Sequence, residues 1–420
     1  MAVLNTKETT VRHNLRSTLQ VTLACLVALA AAPGELRAQP KDVEIAIIDG
    51  LTGPYAANGA RVIKGAEMAA EEINAAGGIK SLGGAKIKLV IADAGARPDD
   101  ASNAAQRVLA SNPSIVGGAG AYISSQQLAI TEITERAGIP WLVQGSADQL
   151  TARGFKNVFA TNMPSGQAAA AVLPLMEQLA RLSSGAAIKD VAILAVNTPG
   201  TIATADGVEV ALKAMGVNVV AKEVFAIQLA DGSVIAQRVR RSRPGFIFLS
   251  TAIAPDTKTI LTSLSQVGIT PKNTPFFIYG GGAFDPEMLN LMPKEGLEGT
   301  AVFTNVWPTK KSGDLETRWK QRTNLPWMTF DPAFGYGHVY VLKEAIERAG
   351  STDRAKVSEA LHAMKIESGP AVAALNGPVS FEASGKRVNP PSLLLQWQNG
   401  VPVAVYPPDV AVAAPLKATQ

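Results

Sequence analysis

At 420 residues the chain exceeds what one ordinary hydrophobic core supports, so two domains are expected. Apolar residues make up 47% and charged residues 18%, a globular balance that excludes a disordered chain and one embedded in membrane throughout. The net charge of +4 is small for this length, and no Lys/Arg block with interleaved aromatics occurs, which argues against nucleic acid as a partner.

Residues 1–38 read as an export signal. Arg12 and Arg16 precede an apolar run over 19–32, too short to span a bilayer comfortably, and Pro33-Gly34-Glu35 breaks it. Cleavage after Ala38 would deliver a mature chain beginning at Gln39 to the periplasm, although Leu36 stands where such sites carry a small residue. An uncleaved N-terminal anchor is the alternative. Cys25, the only cysteine, falls inside the apolar run, so the mature chain raises no disulfide question.

A β-rich run over 43–48 leads into the loop Asp49-Gly50-Leu51-Thr52-Gly53-Pro54-Tyr55. Apolar positions at helical spacing predict a helix over 60–75, ended by Gly77-Gly78. A strand over 87–92 follows, then a helix over 101–110 with Pro98-Asp99-Asp100 at its start, where the dipole favours acids. The strand from Ile115 ends in Gly117-Gly118-Ala119-Gly120, and a helix over 125–137 leads to the strand Trp141-Leu142-Val143, which ends in Gln144-Gly145-Ser146. Trp141 is expected in the core. Side by side in a parallel sheet, the two glycine-containing loops would aim backbone N–H groups and Ser hydroxyls at one spot suited to an anion such as a carboxylate.

After a crossing near 158–162, a second β/α series is expected. Its helices lie over 168–182, 203–215, 234–241 and 257–267, and its strands over 191–196, 219–224, 245–250 and 276–279. The last strand ends in Gly280-Gly281-Gly282. A second crossing near 301–304 leads to helices over 313–324, 334–349 and 355–364, then β segments at 378–381 and 392–397 with a turn at Asn399-Gly400. Strand and helix alternating at this spacing mean parallel sheets covered on both faces, an α/β class. Two such halves joined by crossings, without a flexible tether, describe a hinged clam with its ligand between the lobes.

Two stretches carry a family pattern: Leu51-Thr52-Gly53-Pro54-Tyr55-Ala56-Ala57-Asn58-Gly59, and Gly65-Ala66-Glu67-Met68-Ala69-Ala70-Glu71-Glu72-Ile73-Asn74-Ala75-Ala76-Gly77-Gly78-Ile79. It continues through Tyr122-Ile123-Ser124-Ser125, Ala137-Gly138-Ile139-Pro140 and Leu150-Thr151-Ala152-Arg153-Gly154-Phe155, with echoes at Ala333-Phe334-Gly335-Tyr336 and Gly377-Pro378-Val379-Ser380-Phe381. The chain resembles periplasmic solute-binding proteins of the branched-chain amino-acid type, which serve ABC importers. The resemblance implies a type I binding-protein fold with three hinge crossings, and permease and ATPase subunits as partners. Lobe 1 would comprise 43–160 plus 305–377, lobe 2 would comprise 161–304 plus 378–408, and 409–420 would be a tail.

It also implies a site. Ser124, with Ser125 beside it, matches the family's carboxylate ligand, and Gly145, Ser146 and Ala147 span the second carboxylate-binding loop. Each Ser has a plain alternative as a helix cap or turn residue. Tyr122 is a candidate pocket wall or core residue. Asn58, Asn197 and Tyr279 are loop-end candidates for further contacts. The family's ammonium anchor, an acid just after Tyr279, is replaced by glycines, so Gly281 marks either a tight turn or a backbone approaching a bulky ligand. The family's tyrosine in the second lobe is replaced by Asn197-Thr198-Pro199-Gly200. A buried ammonium needs a charged partner. Either Asp49, Asp256 or Asp285 substitutes, or the solute has no amino group.

Enzymatic alternatives find little. Beyond the export segment only His338 and His362 remain, no Gly-x-Ser-x-Gly elbow occurs, and no His/Cys cluster suits zinc. Gly118-Ala119-Gly120 is a fragment of a dinucleotide fingerprint lacking its third glycine. No cofactor is expected. A ligand-sensing receptor subunit on the same fold, without transport, remains the other reading.

Overall fold

The computed structural model describes residues 41–185 and 187–416. The expected export segment with Cys25, and the last residues of the expected tail, lie outside them. The remainder, from Lys41 onward, forms one compact unit built on two sheets.

The first sheet carries β1 (Val43–Asp49), β2 (Ile87–Asp93), β3 (Ile115–Ala119), β4 (Trp141–Val143) and β5 (Val158–Ala160), all parallel in the order β2-β1-β3-β4-β5. Successive residues of β1 serve opposite faces, as strand geometry requires: Ile45 and Ile47 join one core, Ala46 and Ile48 the other. The first core is closed by α1 (Ala56–Ala75), and the second by α2 (Pro98–Ser111) and α3 (Ser124–Arg136). Trp141 is fully buried within the sheet.

The chain then builds the second lobe. Helix α4 (Ser165–Ser184), β6 (Asp190–Val196), α5 (Pro199–Ala214), β7 (Asn218–Phe225) and α6 (Ser233–Ser242) come first. β8 (Phe246–Ser250), α7 (Ala254–Gln266), β9 (Phe276–Tyr279) and β10 (Ala301–Thr304) follow. Val191 and Ile193 face one core while Ala192 and Leu194 face the other, so this sheet too is covered on both sides. The chain returns through α8 (Leu315–Thr323), α9 (Phe330–Ala349) and α10 (Arg354–Ala363), and α9 packs on α1 in the first lobe. The hairpin β11 (Leu393–Gln398) and β12 (Val401–Tyr406) adds to the second sheet, β11 antiparallel to β10, giving β12-β11-β10-β9-β8-β6-β7.

The structure departs from the sequence expectations in two ways. Several helices start about a turn early: α1 at Ala56 rather than 60, α5 at Pro199 rather than 203, α9 at Phe330 rather than 334. Apolar periodicity locates where a helix begins to pack, whereas its first turn is set by caps. Thr198 before Pro199 is such a start, with Pro at the first helical position and the Thr198 and Thr201 hydroxyls 2.7 Å apart. The second departure concerns 378–388, expected with the second lobe. Val379 instead pairs with Ile366, Arg387 N–H donates to Ala160 O at 3.0 Å, and Phe381 lies 5.2 Å from Phe159 in a T-shaped contact. This segment therefore stays on the first lobe, and its short β-run was too brief to reveal its partner.

Arg387, fully buried, holds the hinge. Its guanidinium donates to the carbonyls of Thr161, Leu375, Gly377 and Pro378, and burial without a carboxylate lowers its pKa to about 10.

Candidate functional site

The carboxyl ends of β3 and β4 face those of β8 and β9 across the cleft, the place where α/β sheets hold ligands. A cavity of about 90 Å³ lies there.

The first lobe supplies α3, whose leading N–H groups have no partner within the helix. Ser124 opens it. Its Oγ accepts the Ala147 N–H at 3.1 Å, which leaves the hydroxyl proton for a solute. Gln127, one turn along, accepts the Gly145 N–H at 2.7 Å on Oε1 and donates through Nε2 to Ala121 O at 2.5 Å. The two glycine-containing loops are thus riveted together by side chains. The amides of Gly145 and Ala147, expected to face the solute, are used within the lobe. Gly145 still lines the cavity; Ala147 does not.

The second lobe presses closely on this surface. A Cβ placed on Gly200, in the first turn of α5, would lie 2.5 Å from Ser146 Oγ and 3.2 Å from Ser124 Oγ. Tyr279 has its hydroxyl beside Ser146 and Thr204, and burial raises its pKa. Tyr122 donates from its hydroxyl to Ala252 O across the cleft at 2.7 Å. Gly280 has φ +113°, and its Cβ would sit 1.8 Å from Thr251 O, so this position is a turn only glycine can make. Gly281 differs: its Cβ would meet Phe330 at 2.4 Å and the Tyr122 hydroxyl at 2.6 Å, both from the facing lobe. Of the run, Gly281 serves the close packing of the lobes, while Gly280 and Gly282 pack on Thr251 and Ile253 of their own lobe.

Aromatic rings form much of the wall. Phe330 lies 5.9 Å from Tyr122 and 5.3 Å from Phe284, while Tyr279 stacks on Phe303 at 5.8 Å. Among the described residues, every side chain lining the cavity is uncharged. Two amides in the wall lack partners: Gln144 at both Oε1 and Nε2, and Asn305 at Nδ2.

Of the residues singled out from sequence, Tyr122, Ser124, Gly145, Ser146, Tyr279 and Gly281 line the cavity. Ser125, Ala147, Asn58 and Asn197 do not. Ser125 faces away one helical position on. Asn197 is exposed, its N–H continuing the sheet to Phe225 O at 2.7 Å, and Thr198 and Gly200 take the wall position instead. Asn58 lies in the early first turns of α1 and donates to Asp331 at 3.2 Å. Gln144, Asn305, Phe284 and Phe330 were missed. For the first two a signal existed, since each is a polar residue ending a buried apolar strand.

The three acids considered as ammonium partners are engaged elsewhere. Asp256 accepts the N–H groups of Gln228 and Leu229 at 3.2 and 2.8 Å. Asp49 is fully buried, accepts the Gly50 N–H at 2.8 Å, and is pushed up to about 8, chiefly by burial. Asp285 forms an ion pair with Arg61, whose guanidinium also lies 3.1 Å from Asp331. That cluster joins α1 and α9 to the second lobe at the cleft's rim. Burial raises Asp331 to about 6 despite the neighbouring Arg61.

Residues 42–401 match the family described as periplasmic binding protein. The chain belongs to that family. Among its relatives is a Leu/Ile/Val-binding protein homolog of Brucella abortus, 26% identical, with 92% of this chain and 98% of the relative aligned. Solved binding proteins share the two-lobed fold. The branched-chain amino acid transporter substrate binding protein LivJ of Streptococcus pneumoniae, in complex with isoleucine, matches at TM-score 0.73 and 19% identity, covering 87% of this chain and all of that one. A solute binding protein of an ABC transporter from R. palustris, in complex with benzoate, matches at TM-score 0.73 and 17% identity, covering 90% and 99%. At these identities the two structures bear on the fold: a type I binding protein of two α/β lobes.

Proposed function

We propose that this binding protein is the extracytoplasmic capture subunit of an ABC importer, exported with cleavage near Ala38, and that its solute is a small carboxylate without an ammonium group. The uncharged cavity wall carries this reading. An α-amino acid would bury its ammonium with no countercharge, at a cost that native sites avoid. A carboxylate is served by the Ser124 hydroxyl and the open N–H groups at the start of α3. The aromatic wall suits an apolar body, aromatic or branched.

The relatives bracket the choice, with isoleucine in one complex and benzoate in another. Function here is closure without chemistry: the carboxylate docks on the first lobe, the second lobe closes over its other end, and the closed form delivers the solute to a membrane permease and its ATPase. Calorimetric titration tests this directly. Benzoate and branched organic acids should bind more tightly than leucine, isoleucine or valine. Tight leucine binding with no response to organic acids would overturn it.

A further inference from the structure

Among the residues lining the cavity, three buried amide atoms have no partner within the protein. Gln144 is 2% exposed with neither end of its amide bonded, and Asn305 is 5% exposed with Nδ2 unpaired. Both line the cavity at its hinge side, Gln144 just after β4 and Asn305 just after β10. Asn162 beside them is used up, donating to Gln144 O at 2.6 Å and accepting the Met163 N–H at 2.7 Å. The Gln144 backbone is thereby pinned while its side chain stays unpaired. Native interiors rarely leave buried amides unpaired, and both of these belong to residues lining one cavity, whose Tyr122 hydroxyl is already given to Ala252 O.

The open set comprises two N–H donors and one carbonyl acceptor. A carboxylate only accepts, so it leaves Gln144 Oε1 unmet. An ammonium only donates, so it leaves both NH₂ groups unmet. A neutral hydroxyl serves both kinds, donating to Gln144 Oε1 while its oxygen accepts from Asn305 Nδ2. We infer that Gln144 and Asn305 form a second polar subsite selecting solutes that carry a hydroxyl as well as the carboxylate, on a compact apolar body. This rests on the carboxylate reading above.

The test compares matched acids on the full mature protein by calorimetry: benzoate against its monohydroxy isomers, and 4-methylpentanoate against its 2-hydroxy form. At least one hydroxy acid should bind about 10-fold more tightly than its parent. In Gln144→Met, which keeps length and removes both polar atoms, that margin, taken as the ratio of the two affinities within the variant, should shrink to about 2-fold or less. Asn305→Leu should remove part of it and carries the comparison if Gln144→Met does not fold. Hydroxy acids no tighter than their parents, or a margin that survives both substitutions, would overturn the subsite. Parent acids bind in that failure. If no acid binds, the carboxylate reading falls and the subsite with it.

Discussion

Inside the cavity every wall residue is uncharged, whereas at the rim Arg61, Asp285 and Asp331 are packed together between the lobes. The two regions close on each other by different physics. The cavity closes by backbone proximity, with Gly200 and Gly281 admitting the facing lobe to within van der Waals contact. The rim closes by an ion pair, whose charges need each other once water is gone. The contrast separates a cavity with no charged side chain in its wall from the charges that join the lobes: the acids stand at the rim.

Breaking the cavity side should have the largest effect. Gly281→Val would drive a branched side chain into Phe330 and Tyr122 and prop the lobes apart, lowering affinity by about 3 kcal/mol, or about 100-fold. Calorimetry and solution scattering check this; wild-type affinity with a compact profile would show that the cleft tolerates the bulk. On the rim side, Arg61→Met strands two carboxylates, and unfolding stability should fall by about 2–3 kcal/mol at neutral pH. The loss should narrow near pH 5, where Asp331, already raised to about 6, is neutral. A loss independent of pH in denaturant titrations would argue against the clasp.

Ser124→Ala removes a hydroxyl from the proposed docking point of the carboxylate and the acceptor of the Ala147 N–H, and should weaken solute binding by about 1–3 kcal/mol. Unchanged affinity would sink the assignment. The smallest effect is a slope. Folded Asp49 holds its proton to about pH 8, while in the unfolded chain it ionises near 3.8, so the folded form binds more protons and stability falls as pH rises through this window. His338, pushed down to about 3 by burial, acts oppositely below 6.5 and is level above it. Between pH 6.5 and 8 thermal midpoints should therefore drift down, and Asp49→Asn should flatten the drift.

The sheets and their order of elements were legible because alternating apolar residues and glycine-ended strands survive as local signals. Helix starts were not, since a first turn such as Pro199 to Thr201 contributes caps rather than apolar periodicity. In the site, Tyr279 ends a strand and Ser124 and Ser146 lie in the loops that follow strands, where the parallel-sheet rule points. Phe330 opens a helix that returns from the far end of the chain, and no local pattern ties it to Tyr122. Asn58 and Asn197 show the converse: residues at suggestive loop positions that the longer helices turned elsewhere. The amides of Gly145 and Ala147 were misread because the acceptors that consume them, Gln127 and Ser124, sit on another element.

Gln127 has a kinetic consequence. By tying Gly145 to Ala121 it joins the two loops beside Ser124 through bonds made wholly within the first lobe. On the proposed function, encounter is expected to need no rearrangement of these loops and to run at the rate of diffusion into the cleft. Substitutions in the second lobe, at Gly281 or Tyr279, are then expected to change how long a solute stays more than how often one is found.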